Sequence, residues 1–144
     1  MIKAVLDTNQ LVSSLLTKTG PFAKLLEEWR AHAYLLVTSR EIIAEIQRVL
    51  HYPHIAKKYR IPEAEVTALI ELLEHEAIVL PHTKPIAVIA EDPTDNKILA
   101  CALDAHAPYL VSGDQHLLSL RQYQDVTIVT AREFLTLLAR WTSH

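Results

Sequence analysis

The chain has 144 residues, half of them hydrophobic, with a formal net charge of −3, which suits one domain over residues 1–144 that buries roughly two-thirds of its unfolded surface. Its single cysteine, Cys101, excludes an internal disulfide and fits a reducing compartment, and its two glycines, Gly20 and Gly113, exclude phosphate-binding loops and the dinucleotide fingerprint. The apolar runs are too short to cross a bilayer, and no basic segment followed by a long apolar run opens the chain, so the expected location is cytoplasmic.

Residues 2–6, Ile2-Lys3-Ala4-Val5-Leu6, suit a buried strand, and Asp7-Thr8-Asn9 ends it, which places Asp7 at a strand's carboxyl end. Leu11, Val12, Leu15 and Leu16 then form the inward stripe of a helix on which neither Ser13 nor Ser14 carries a nucleophile motif. A second strand-like run at 34–37 leads through Thr38 and Ser39 into a helix with apolar positions Ile42, Ile43, Ile46, Val49 and Leu50. Thr38 and Glu41 fit the S/T-x-x-E capping box, which gives Glu41 a structural role and turns it toward solvent. Glu45, one turn on, lies at the edge of the apolar face and has no such role.

From Ile46 to Pro62 the sequence holds no acid. Arg48, Lys57, Lys58 and Arg60 alternate there with His51, Tyr52, His54 and Tyr59, supplying cations for phosphates and rings for unpaired bases. The competing reading is a solvated connection with tyrosines packed beneath. Position favours an RNA-binding role for the four cations, because the segment directly follows the helix of Glu45. The proline between His51 and His54, with no cysteine partner, argues against zinc.

Val66, Leu69, Ile70 and Leu73 mark a scaffold helix over 63–76, and further strand-like runs fall at 77–80, 108–111 and 126–129. In Asp92-Pro93-Thr94-Asp95-Asn96-Lys97-Ile98-Leu99-Ala100-Cys101-Ala102, Asp92 fits an N-cap and Pro93 a first helical position. Asp95 then precedes Ile98, Leu99 and Ala102 by three, four and seven positions and shares their inward face. Favourable helix-start electrostatics accounts for Asp92 fully and for Asp95 only in part. Cys101 belongs to the core of the same helix. Asp114 ends the run Ala107-Pro108-Tyr109-Leu110-Val111-Ser112-Gly113 and by itself reads as a turn aspartate. Thr130 and Glu133 open the final helix as a second capping box.

Alternating strands and helices predict an α/β fold: a three-layer α/β/α domain around a mostly parallel sheet of about five strands. In such a sheet the strand carboxyl ends and the following helix starts share one edge, where ligands bind. Asp7, Glu45, Asp95 and Asp114 all map to it. Four clustered carboxylates raise one another's pKa unless a cation lies among them, and Mg²⁺ or Mn²⁺ suits oxygen donors.

Asp7-Thr8-Asn9, Ser39 followed by Glu45, the Asp92–Ala102 segment, and Leu110-Val111-Ser112-Gly113-Asp114-Gln115-His116-Leu117-Leu118 together resemble a PIN-domain protein over nearly the full length. The likeness is to small VapC-like toxin components of toxin–antitoxin pairs. It implies a metal-binding quartet of Asp7, Glu45, Asp95 and Asp114, with Thr8, Asn9 and Ser39 as supporting polar groups. It further implies hydrolysis of RNA to a 5′-phosphate and a 3′-hydroxyl, and an antitoxin protein as partner. The chain departs from the pattern S/T-G-D-x-D, having His116 where a further acid often stands; either a second metal site is lost, or His116, counted among the supporting polar groups, replaces that carboxylate as ligand or acid/base. Exposed faces of the 63–76 helix and the final helix are candidates for a homodimer or antitoxin contact. Two rival functions remain: a catalytically degenerate PIN-like binding module, and an aspartyl-phosphate phosphatase with Asp7 as nucleophile, which lacks an acid at Asn9.

Overall fold

A computed structural model of the chain describes residues 1–88 and 93–142. Six strands form one sheet in the order β3-β2-β1-β4-β6-β5. They are β1 Lys3–Leu6, β2 Leu35–Ser39, β3 Ile78–Leu80, β4 Tyr109–Val111, β5 Gln122–Tyr123 and β6 Val126–Val129. All neighbours are parallel except β5, which pairs antiparallel with β6. β5 is the strand beyond the expected five. Its two residues, joined to β6 through Gln124 at φ +52°, are too few for a period-2 signal.

The helices are α1 Thr8–Leu16, α2 Pro21–Arg30, α3 Arg40–Leu50, α4 Pro53–Tyr59, α5 Glu63–Glu76, α6 Pro93–Asp104, α7 Gln115–Leu118 and α8 Ala131–Thr142. Ala4, Val5 and Leu6 are all buried, as are the neighbours Leu36 and Val37 and the neighbours Leu110 and Val111. Successive strand residues point to opposite faces, so helices must cover both sides of the sheet. α6 packs on β1, β2 and β4, while α1 packs on α2 and α3. From α8, Phe134 meets Tyr34 edge-on with ring centroids 5.0 Å apart. The Tyr34 hydroxyl donates to the carbonyl of Leu25 at 2.8 Å, which leaves no polar atom of that ring stranded in the core. No helix among the described residues is long and apolar enough to cross a membrane.

The second capping box stands as expected: Thr130 N donates to Glu133 Oε1 at 2.9 Å and Glu133 N to Thr130 Oγ1 at 3.2 Å. The first does not. β2 continues through Ser39, and Ser39 is the N-cap of α3, its hydroxyl accepting from Ile42 N at 3.2 Å. Thr38 is fully buried with no hydrogen-bond partner for Oγ1 among the described residues, and Glu41 accepts instead from Thr83 Oγ1 at 3.1 Å. The capping pattern competed with one more residue of parallel ladder, and the ladder won. The expected N-cap Asp92 lies outside the described residues.

This reassignment has opposite consequences at adjacent positions. Ser39→Ala should lower stability to urea by roughly 0.5–2 kcal/mol as a lost cap, whereas Thr38→Val, which removes only an unpaired hydroxyl, should leave it unchanged or raise it by about 1 kcal/mol. The reverse ranking in urea melts would restore Thr38 as the cap.

Candidate metal centre

After β1 the chain builds outward to β2 and β3, then returns to the other side of β1 to lay down β4. The crevice between the carboxyl ends of β1 and β4 is therefore the topological switch point, the place where such sheets bind ligands. Asp7 follows β1 there, and its backbone N–H donates to Val111 O of β4 at 3.1 Å. Its carboxylate is the N-cap of α1: Oδ1 accepts from Gln10 N at 2.9 Å and Oδ2 from Ser112 Oγ at 2.5 Å. Ser112 Oγ in turn accepts from Asp114 N at 3.0 Å, so one hydroxyl ties the loops after β1 and β4 together. Desolvation by burial raises the Asp7 carboxyl from 3.8 to about 6, and repulsion from Asp114 adds to this, against the lowering effect of the Ser112 and Gln10 bonds.

Asp95 enters from the first turn of α6 and is buried along with Ile98, Leu99 and Ala102, as its spacing predicts. Asp114 is the N-cap of α7, with Oδ1 accepting from His116 N at 2.8 Å and lying 3.6 Å from His116 Nδ1. Asp95, Asp114 and His116 each bring one ligand atom within 4.8 Å of the other two, and no other such trio occurs among the described residues. Donors around an ion bound at ~2.1 Å stand about 3 Å apart when adjacent and ~4.2 Å when opposite. The trio needs to contract only slightly to hold a cation, and its donor chemistry suits a small divalent one. Asp7 and Glu45 lie outside the trio, and Asp7 is linked to it through Ser112.

Glu45 lines a small cleft with Thr8, Glu41, Arg48, Thr94 and Lys97, where it forms an ion pair with Arg48 one turn along α3. Glu41, expected to face solvent, is half-buried in the same cleft. The lining of the cleft thus includes two carboxylates and two cations. Thr8 is buried and Asn9 exposed, and Ser39 serves the start of α3.

The chain matches the PIN domain family over residues 3–116. It belongs to that family. PIN domains are generally nucleases. A relative of unassigned function from Methanocaldococcus jannaschii is 28% identical over 121 residues, covering 83% of this chain and 76% of its own. Among solved structures, VapBC2 of Rickettsia felis, bound to a DNA fragment from its promoter, shares the fold at TM-score 0.59 and 14% identity, over 88% of this chain and 97% of that one. FitAcB of Neisseria gonorrhoeae does so at TM-score 0.54 and 18% identity, over 90% and 98%.

Two residues of this PIN domain carry more of the site than their sequence context suggests. Ser112 precedes Gly113-Asp114 and is fully buried, and its bridging role depends on contacts 105 positions apart in sequence. Gln10 is buried, and its Nε2 would lie 3.3 Å from a Cβ at Gly113, so the glycine lets the α1 amide close on the Asp114 loop. The polar Gln10 among apolar Leu11 and Val12 was the available signal.

The basic segment divides. Arg48 turns into the Glu45 cleft, whereas Lys57 and Lys58 occupy the last turn of α4 and Arg60 caps it at φ +48°, all three exposed. Tyr52 and Tyr59 are not packed beneath: both are exposed, Tyr52 stacked on His54 at 5.9 Å and Lys58 over the Tyr59 ring at 5.3 Å. His51 pairs with Glu63 at 3.0 Å.

The raised Asp7 pKa fixes a sign for pH dependence. Between 3.8 and about 6 the native state retains a proton that the unfolded chain has lost, so stability is fully present below this window and lost as pH rises through it. Each tenfold in proton affinity is worth ~1.4 kcal/mol, which puts the penalty in metal-free protein on the order of 3 kcal/mol near neutrality. In chelator, Asp7→Asn should melt higher than the parent at pH ~7.5, with the gap closing toward pH ~4. A variant that melts lower at pH ~7.5 would show that Asp7 stabilises the apo fold as a charge.

Proposed function

We propose that the chain is a divalent-metal-dependent endoribonuclease acting as the toxin of a toxin–antitoxin pair. The observation that carries this reading is the convergence of Asp95, Asp114 and His116 within 4.8 Å at the switch-point crevice, beside the buried Asp7. PIN-family membership supports nuclease chemistry, and the likeness to VapBC2 supports an antitoxin partner, for which exposed faces of α5 and α8 are available.

Asp95 and Asp114 would hold Mg²⁺ or Mn²⁺, with Asp7 and Glu45 completing the acidic set. A divalent cation supplies Lewis acidity there, making water a better nucleophile and offsetting charge on the phosphate. The chain's own part is positioning. Ser112 and Gln10 fix the Asp7 carboxylate, whose charged form is disfavoured first by burial and further by repulsion from Asp114, and a bound cation would offset both. Arg48 and Lys97, which line the cleft beside Glu45, would supply positive charge for phosphate groups near it. Lys57, Lys58 and Arg60, with the open rings of Tyr52 and Tyr59, would take the strand onward over α4 by phosphate pairing and base stacking. In-line displacement leaves a 5′-phosphate and a 3′-hydroxyl. The phosphatase alternative is disfavoured by Asn9, an exposed amide standing two residues after Asp7 where that chemistry uses a second acid.

Purified protein should cleave single-stranded RNA with Mg²⁺ or Mn²⁺ and stop in chelator, and Asp95→Asn and Asp114→Asn should each slow it at least ~10²-fold. In melting curves with and without Mn²⁺, the ion should stabilise the parent more than Asp95→Asn, because a lost ligand weakens binding to the native state. Undiminished cleavage in chelator, or equal stabilisation of parent and variant, would overturn the metal assignment.

A further inference from the structure

The residue two positions after Asp114 is where this chain leaves the acidic pattern, and the structure gives that difference a chemical meaning. α7 is a single turn held down by the fully buried Leu117, so Asp114 at its N-cap and His116 within it have fixed relative positions. The exposed His116 ring is directed back along the turn, with Nδ1 3.6 Å from Asp114 Oδ1 and a ligand atom within 4.8 Å of both Asp95 and Asp114. Asp114 Oδ1 already accepts from the His116 backbone N–H, which holds that carboxylate beside the imidazole.

We propose that His116 is an inner-sphere nitrogen ligand, and that it tunes the metal centre toward Mn²⁺ and away from Mg²⁺. This rests on the metal-dependent reading above. Mg²⁺ takes oxygen donors and retains its waters, whereas imidazole binds first-row transition ions more readily, with affinity rising from Mn²⁺ onward. A site of carboxylates alone discriminates between the two chiefly by size. Replacing one carboxylate by a neutral imidazole removes a negative charge that Mg²⁺ depends on and adds a donor that Mn²⁺ accepts. The loss therefore falls mainly on Mg²⁺.

The test uses the full chain and the metals alone, with no RNA present. Mn²⁺ and Mg²⁺ affinities are measured by calorimetry for the parent, His116→Asp and His116→Gln, and bound Mn²⁺ is examined by pulsed electron paramagnetic resonance for coupling to ¹⁴N. The exposure of His116 leaves the fold of both variants intact, which their melting curves in chelator verify. The parent should show ¹⁴N coupling that both variants lack. The preference for Mn²⁺ over Mg²⁺ should fall at least ~5-fold in His116→Asp, through a gain in Mg²⁺ affinity. Metal binding without ¹⁴N coupling, or with the same preference in parent and His116→Asp, would overturn the role of His116 while leaving a carboxylate metal centre in place. Absence of binding of either ion to the parent would remove the metal reading itself, and this proposal with it.

Discussion

The candidate site depends on the bond that the Ser112 hydroxyl makes to Asp7 across the crevice between β1 and β4, while the same hydroxyl braces its own loop at Asp114. It donates to Asp7 and accepts from the Asp114 backbone, so the loops after two neighbouring parallel strands cannot move independently. Parallel strands make this possible, since their carboxyl ends lie side by side and the chain reverses its direction of sheet growth between them. Asp7 N bonds to Val111 O and reinforces the same seam. Acids from distant parts of the sequence are thereby delivered to one place.

That delivery sets a conflict. Asp7 and Asp95 are buried, and Asp114 is close enough to raise the Asp7 pKa. Natural folds accept such a cost where a site needs charge placed in advance of its ligand. Here hydrogen bonds from Ser112 and Gln10 reduce the cost without abolishing it, and the remainder is of the kind that a bound cation would offset. The Glu45–Arg48 pair resolves the same problem differently, by supplying a counter-charge from the next turn of α3.

Cys101 shows how firmly the surrounding helix belongs to the core. Burial pushes its thiol up to about 12, with repulsion from Glu41 and Asp104 adding to this and a Ser39 hydrogen bond opposing it, so it packs as a small apolar group. α6 thus has two tasks in one sequence. Its first turn offers Asp95 to the crevice, and the following turns pack Ile98, Leu99, Cys101 and Ala102 against the sheet. The same packing that buries the helix holds the carboxylate in position.

Local periodicity was sufficient for the α/β class, for β6 at 126–129, for α5 at 63–76, and for the inward face of Asp95, because strand and helix repeats are properties of consecutive residues. The four acids could likewise be assigned to one sheet edge, since that follows from alternation of strands and helices. What lay beyond the sequence was every choice between two locally acceptable partners. Thr38 had a capping pattern but entered the β2 ladder, Ser39 took the cap, and Glu41 found Thr83, 42 positions away. The convergence of His116 with Asp95 and Asp114, and of Ser112 with Asp7, was equally undecided, because strand order and helix packing set those distances. The sequence determined which groups are available for chemistry and along which edge, and the tertiary structure decided which of them meet, since hydrogen-bond partners and repelling charges act through space and ignore chain separation.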